Sequence, residues 1–293
     1  MKILCAENEN ATISEIQLLL LWKYTIAEYT TLRLTRDSDR LPALSGIALR
    51  FNKGLSSSER DPQYLAGLWN IDKTAFIAEL LWEVHGYAQI QSPSTSRLCP
   101  PAPPSWSWAS LSLQGSDSIV YHHPGLRSSH KMIAHPDVEI MNAYCLLGSS
   151  DKFGDVSYGE LKISGLLVLG RLRYGRYIIN GTYSMSVELS STSGQYHGNG
   201  IDYLRPEGEL TTDCNIRREG PGRIMDGGHI YCLLMDSIIS TRINEGEILQ
   251  RGVGLGLRRS TTNRGTLERI GVLVFNTPDQ FFKDAQTQTV IIT

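Results

Sequence analysis

Apolar residues recur near helical spacing over residues 12–34, where Ile16, Leu19, Leu20, Trp22, Ile26 and Tyr29 mark one side of the chain. Thr12 or Ser14 is placed to cap such a helix, and the apolar side predicts that it is half buried. Arg36-Asp37-Ser38-Asp39 reads as a turn, after which Ser38 or Asp39 caps a second helix over 41–51. Pro42 falls in its first turn, the helical position that proline favours. A polar loop over 53–61 and the aromatic segment Tyr64-Leu65-Ala66-Gly67-Leu68-Trp69 lead to a third helix over 74–84, with Phe76, Ile77, Leu80, Leu81 and Val84 on one face.

The pattern changes over 91–104, which is rich in Ser, Pro and Thr. The run Pro100-Pro101-Ala102-Pro103-Pro104 fits neither a helix interior nor a central strand and predicts an extended loop. Beyond it, short apolar runs at 138–147, 161–172, 184–189, 229–235, 252–257, 269–275 and 290–292 read as strands. Asp226-Gly227-Gly228 and Asn263-Arg264-Gly265 supply turn signals between them, and no 20–50-residue repeat is visible. The expected architecture is therefore α+β. A helical segment, residues 1–90, is joined by the loop 91–104 to a β-rich, barrel- or sandwich-like remainder, 105–293, and the parts pack as one compact unit.

With 41% apolar and 20% charged residues the chain has a globular profile, and 28 Lys and Arg against 30 Asp and Glu leave a net charge of −2. Such a balance supplies no bulk attraction for polyanions, so neither nucleic acid nor membrane is an expected partner. Leu18-Leu19-Leu20-Leu21-Trp22 falls far short of the roughly 20 apolar residues of a membrane span. The opening residues Met1 to Ala6, followed at once by Glu7-Asn8-Glu9-Asn10, do not read as a secretory signal. Five scattered cysteines without a C-x-x-C offer neither a disulfide framework nor a zinc ribbon, which points to a reducing, cytoplasmic setting. The sequons at Asn10 and Asn180 then count as chance matches.

No P-loop, H-E-x-x-H or G-x-S-x-G is present. Gly252-Val253-Gly254-Leu255-Gly256 lies inside an apolar β-like run rather than between a strand and a helix, so a phosphate-cradling role is not assigned to it. Tyr121-His122-His123-Pro124, with His130 and His135, is the densest imidazole cluster. Adjacent histidines on a strand face opposite ways, which favours a solvated loop over a metal site. Glu83 and His85 offer an acid–base pair, against the simpler reading of a histidine at a helix C-terminus. Asp37, Asp39 and Arg40 are explained by a cap and a local ion pair. The most unusual string is Pro104-Ser105-Trp106-Ser107-Trp108-Ala109-Ser110: on an extended chain both indoles share a face. Trp106 and Trp108, with Tyr121 and His122, form the candidate ligand or partner surface. The competing and simpler reading has the indoles stapling the helical part to the sheet. Neither a cofactor nor a metal is expected.

Five segments together carry a resemblance. Glu28-Tyr29-Thr30 with Arg33-Leu34-Thr35, Asp39-Arg40-Leu41-Pro42-Ala43-Leu44-Ser45-Gly46-Ile47-Ala48, Tyr64 to Trp69, Leu80-Leu81-Trp82 and Pro104 to Ser110 resemble, in order and spacing, fungal heterokaryon-incompatibility (HET) domain proteins. Tyr231-Cys232-Leu233-Leu234, Glu268-Arg269-Ile270-Gly271 and Thr289-Val290-Ile291-Ile292 resemble the same family's C-terminal strands. The resemblance runs from Leu21 to Thr293 and covers the region after the HET core. That core, which resembles TIR domains and carries the signalling activity, would have to lie ahead of Leu21. The transferable boxes are those around Asp39 and Arg40, around Gly67 and Trp69, and around Trp106 and Trp108, none with an assigned chemistry.

The resemblance implies a truncated HET-family protein, acting as a non-self-recognition, regulatory or accessory module whose partners are full-length HET-family proteins. The alternative is a repurposed small-molecule enzyme, for example a cyclase of fungal secondary metabolism. It would take a small apolar ligand in an aromatic-lined pocket around Trp106, Trp108, Tyr121 and His122. A deep apolar cavity would favour the enzyme, and a filled barrel with a flat exposed aromatic patch the module. A third reading is a fragment whose missing first part does the work; an exposed apolar face on the first helix would support it, because that face should pack on the missing core.

Overall fold

A computed structural model describes residues 14–56, 61–85, 95–113, 117–121, 132–179, 182–189, 208–214, 216, 222–241 and 248–293. Helix α1 (Glu15–Thr30) starts at a capping box: Gln17 N–H donates to Ser14 Oγ and Ser14 N–H to Gln17 Oε1. Its buried residues Trp22, Ile26 and Thr30 repeat every fourth position. Pro42–Leu44 makes one 3₁₀ turn before α2 (Ser45–Leu55), which buries Ala48, Phe51 and Leu55. Strands β1 (Gln63–Leu65) and β2 (Leu68–Asn70) form a hairpin, and Asp72 caps α3 (Lys73–Leu80) by accepting the Ala75 N–H at 2.8 Å.

The helix expected to reach Val84 ends at Leu80, and Trp82–His85 is strand β3. Trp82 and Val84 are buried while Glu83 is half-buried and His85 exposed, a period of two that the preceding leucines mask. The helix-terminus reading of His85 falls with it. Strands β4 (Ser96–Arg97) and β5 (Leu111–Ser112) pair with each other, and β3 pairs antiparallel with β6 (Ser118–Tyr121).

The remaining strands belong to one nine-stranded sheet. They are β7 (Met132–Ala134), β8 (Glu139–Leu147), β9 (Val156–Ile179), β10 (Thr182–Leu189), β11 (Gly208–Thr212), β12 (His229–Thr241), β13 (Ile248–Arg259), β14 (Leu267–Phe275) and β15 (Gln286–Ile292). A short helix, α4 (Pro278–Phe281), separates the last two. The first half of β9 pairs with β8 and β15 and its second half with β10 and β12. Following the antiparallel ladders from β9 through β10, β11, β14, β13 and β12 leads back to β9, so these strands close a ring with no free edge.

That ring is filled. A Cβ at Gly170 would lie 2.5 Å from Val187 and one at Gly256 would lie 2.9 Å from Leu210, so these glycines make room for side chains opposite them. The glycines of 252–256 are thus strand residues that allow close packing. Gly227 and Gly265 take positive φ in the two turns that their sequence signals predict.

The α+β division into a helical N-terminal third and a β-rich remainder is corrected by this arrangement. The molecule is mostly β: α1, α2 and α3 are interleaved with β1, β2 and β3, and α4 lies close to the last strand. The physical reason lies in the short strands. Each has two to four residues, too few for alternation to separate them from helix or loop, and β3 and β4 are defined by partners distant in sequence. No helix among the described residues is long and apolar enough to cross a membrane.

Candidate functional site

Two of the segments singled out in the sequence, Tyr64 to Trp69 and Pro104 to Ser110, meet at the β1–β2 turn. Leu65 and Leu68 are paired, so Ala66 and Gly67 form a two-residue turn, and both have positive φ, 49° and 94°. The turn aims its two carbonyls into the core. Ala66 O accepts the Ser107 hydroxyl at 2.5 Å, and Gly67 O accepts two indole N–H groups, Trp22 Nε1 at 3.1 Å and Trp108 Nε1 at 3.3 Å. A Cβ at position 67 would come within 2.7 Å of the Trp108 ring, so the close approach as well as the φ requires glycine.

Around this turn the indoles pack edge-on. Trp22 meets Phe51, Tyr64 and Trp69 with centroids 5.1, 6.0 and 5.8 Å away, and Trp106 meets Phe76 at 6.4 Å. Trp82 Nε1 donates to Trp106 O at 2.9 Å. Trp106 and Trp108 do not lie on one face of an extended chain, as expected from their alternation. Residues 108–110 form a 3₁₀ turn capped by Ser107, which sends the indoles to different neighbours, and both are 0% exposed. They act as core.

A second buried cluster ties this core to the strand ring. Arg269 of β14 is 0% exposed and grips Asp213 with two parallel bonds of 3.0 Å, while its Nη1 donates to Leu80 O at 2.5 Å and its Nη2 to Trp82 O. Its guanidinium stacks 3.5 Å from the Trp82 ring centroid. Arg97 reaches the same carboxylate at 2.8 Å and also donates to Arg269 O and Ser105 O. Ser105 Oγ accepts the Arg269 N–H at 2.9 Å and donates to Thr293 O. Burial lowers the Arg269 pKa and the Asp213 charge opposes that shift. One carboxylate between two guanidiniums thus holds α3, the 95–110 segment, β14 and the end of β15 together.

Beside the aromatic core sits a third polar group. Glu79 is 0% exposed; its carboxylate lies 3.5 Å from Lys23 Nζ and accepts the Trp69 N–H at 3.5 Å. Burial raises its pKa, and Lys23 works against the rise. Lys23 Nζ also sits 5.0 Å from the Tyr121 ring. Tyr121, on β6 opposite Trp82, is half-buried with its hydroxyl out of solvent, and burial raises its pKa well above 10.0.

Comparison with protein-family models, with characterised proteins and with solved structures returns no match. The geometry therefore stands alone. It brings together Gly67, Trp69, Trp106, Trp108 and, at their flank, Tyr121. Asp39 and Arg40 stand apart: Asp39 is exposed, while Arg40 is buried, bonds Asp37 at 2.6 Å and accepts the Tyr29 hydroxyl at its carbonyl. His122, His123 and His130 lie outside the described residues, and His135 Nδ1 is 3.8 Å from Asp137. Among the described residues no three His, Cys, Asp or Glu side chains gather as a metal site.

The residues missed by reading the sequence are Arg97, Asp213, Arg269, Glu79 and Lys23. For Arg269 a signal exists: it is a charge beside the apolar run Ile270 to Phe275 of the same strand. Asp213 follows the end of β11 and Arg97 lies in the two-residue β4, where no periodicity is long enough to mark a residue as buried.

Proposed function

We propose that the chain is a non-catalytic, partner-binding module of the kind its resemblance to HET-family proteins implies, acting in recognition or regulation. The observation that carries this reading is the complete burial of Trp106 and Trp108. The enzyme alternative needed those indoles at the mouth of a pocket; inside the core they hold the layers together and are closed to a substrate.

Exposed apolar residues lie elsewhere and supply the surface such a module needs. On α1, Ile16 is 69% and Tyr24 51% exposed, with half-buried Leu20 midway between them on the same stripe. Leu32, just past the helix, and Leu49 of α2 are exposed as well. A full-length HET-family protein is the partner proposed for this stripe, and no cofactor enters the proposal.

Deleting the gene in the organism that carries it, and scoring cell-fusion compatibility beside a metabolite profile, tests the reading. Altered fusion with unchanged metabolites is expected. The double substitution Ile16→Glu and Tyr24→Glu should reproduce that phenotype while leaving the melting temperature near that of the parent. A missing or stalled metabolite with normal fusion would overturn the module and restore the enzyme.

A further inference from the structure

On the outer wall of the strand ring three basic side chains stand in a row, and Glu188 of β10, the carboxylate paired with the first of them across the ladder, is engaged by Arg173 at 3.0 Å. Arg171 of β9 and His229 of β12 are direct partners in the ladder, so their side chains emerge next to each other on one face. Tyr231 pairs with Leu257 of β13, and Arg259 lies two residues beyond Leu257, where its Nε donates to the Tyr231 hydroxyl at 3.2 Å. Among the described residues neither Arg171 nor Arg259 forms an ion pair, and Arg171 Nε is out of contact with solvent and has no hydrogen-bond partner. A guanidinium N–H left so costs free energy unless another group completes it.

The wall beside the row is shaped to receive such a group. Leu169, His229, Tyr231 and Arg259 line a cleft of about 390 Å³. Leu169, 41% exposed, also borders a second cleft of about 290 Å³, lined by apolar residues such as Leu167 and Phe281 and by the polar Asp284 and three glutamines. Within the first cleft the basic His229 and Arg259 thus stand beside the Tyr231 ring and the exposed Leu169.

We propose that this wall is a binding site for a small amphiphilic oxyanion, a phosphate or carboxylate head on an apolar body. The head bonds the guanidiniums of Arg171 and Arg259 and the imidazole of His229, and the body lies on Tyr231 and Leu169. Arginine suits the head because its planar fork matches two oxygens at once. The site is independent of the α1 stripe and of the module reading.

Isothermal titration with phenyl phosphate, benzoate and inorganic phosphate tests it on the full chain at low salt. At least one aryl oxyanion is expected to bind, and inorganic phosphate should bind about tenfold more weakly because it lacks the body. The two aryl probes tell a phosphate head from a carboxylate head. Arg171→Gln and Arg259→Gln should each weaken the aryl ligand about tenfold or more, while Leu169→Asn should erase its advantage over inorganic phosphate. Arg50→Gln, on an exposed position of α2, should change nothing. Unchanged melting temperatures for all four variants keep the comparison one of binding. Absence of binding by both aryl probes at millimolar concentration, or equal weakening by Arg50→Gln and the site variants, overturns the proposal.

Discussion

The aromatic layer before residue 110 and the strand ring behind it are both closed to solvent, yet they are ordered by different means. All five tryptophans of the chain lie in the first, each 0% exposed, and none lies in the second. The layer's strands have two to four residues and cannot order themselves by ladders alone. Its indoles do so instead: Trp22, Trp82 and Trp108 each carry an N–H to a backbone carbonyl, so shape and hydrogen bond fix each ring together. In the ring, long continuous ladders set the order, and aliphatic side chains with Phe275, Phe281 and Phe282 fill the spaces. A layer held by a few specific rings should fail at single residues, while a ladder spreads the same loss over many.

The largest test is the double substitution Trp106→Ala and Trp108→Ala. Each large-to-small change in a core costs about 3–5 kcal/mol, and the pair should exhaust the layer's share of a total that is typically about 5–15 kcal/mol. Amide exchange should then show the layer open while β12, β13 and β14 stay protected. A single Leu255→Ala in the ring, at about 2–5 kcal/mol, should instead shift one common transition. A near-neutral melting shift for the tryptophan pair would break the comparison outright.

Next in size is Arg269→Ala, at about 3–5 kcal/mol for removing one partner of a buried ion pair. Because Arg269 spans both regions, urea unfolding followed by tryptophan fluorescence should separate from unfolding followed by strand circular dichroism. In the parent the two curves should coincide. Curves that still coincide in the variant would mean that Arg269 does not couple layer and ring.

The two regions were also unequally legible in the sequence. The long strands of the ring announce themselves: the runs at 229–235, 252–257 and 269–275 fall inside β12, β13 and β14, because a continuous apolar run bounded by turn signals marks a strand buried on both faces. The layer hides its plan. Leu80-Leu81-Trp82-Glu83-Val84 suits a helical face as well as a strand, and only the partner Ser118–Tyr121 decides between them. The Trp106 and Trp108 alternation misled for a related reason, since Ser107 caps a 3₁₀ turn rather than continuing an extended chain. Asp213 and Arg97 gave no warning, for a buried charge can be recognised only once its counter-charge is placed in space. Glycine at 67 was visible as a letter, but its reason, the Trp108 ring against its α-carbon, is tertiary.

The smallest predicted effect is also the sharpest, because one buried and one half-buried carboxylate should respond to pH with opposite signs. In the layer, burial raises the Glu79 pKa above 4.5, with only Lys23 and the Trp69 N–H opposing it. Between 4.5 and that raised value the native state keeps a proton that the unfolded chain has lost, so stability falls as pH rises through this window. In the ring, burial also works to raise Glu268, but bonds from Ser260, Thr261 and Arg258 more than cancel it and hold the group below 4.5. Its contribution is complete above the unfolded value and is lost as pH falls through the lowered one. Each group contributes a slope of at most about 1.4 kcal/mol per pH unit. Urea denaturation from pH 3 to 8 reads both: Glu79→Gln should flatten the loss on the rising side, and Glu268→Gln the loss on acidification. Parallel profiles for parent and Glu79→Gln would show that Lys23 fully compensates the buried charge, placing the layer's polar core on the same footing as the ring's.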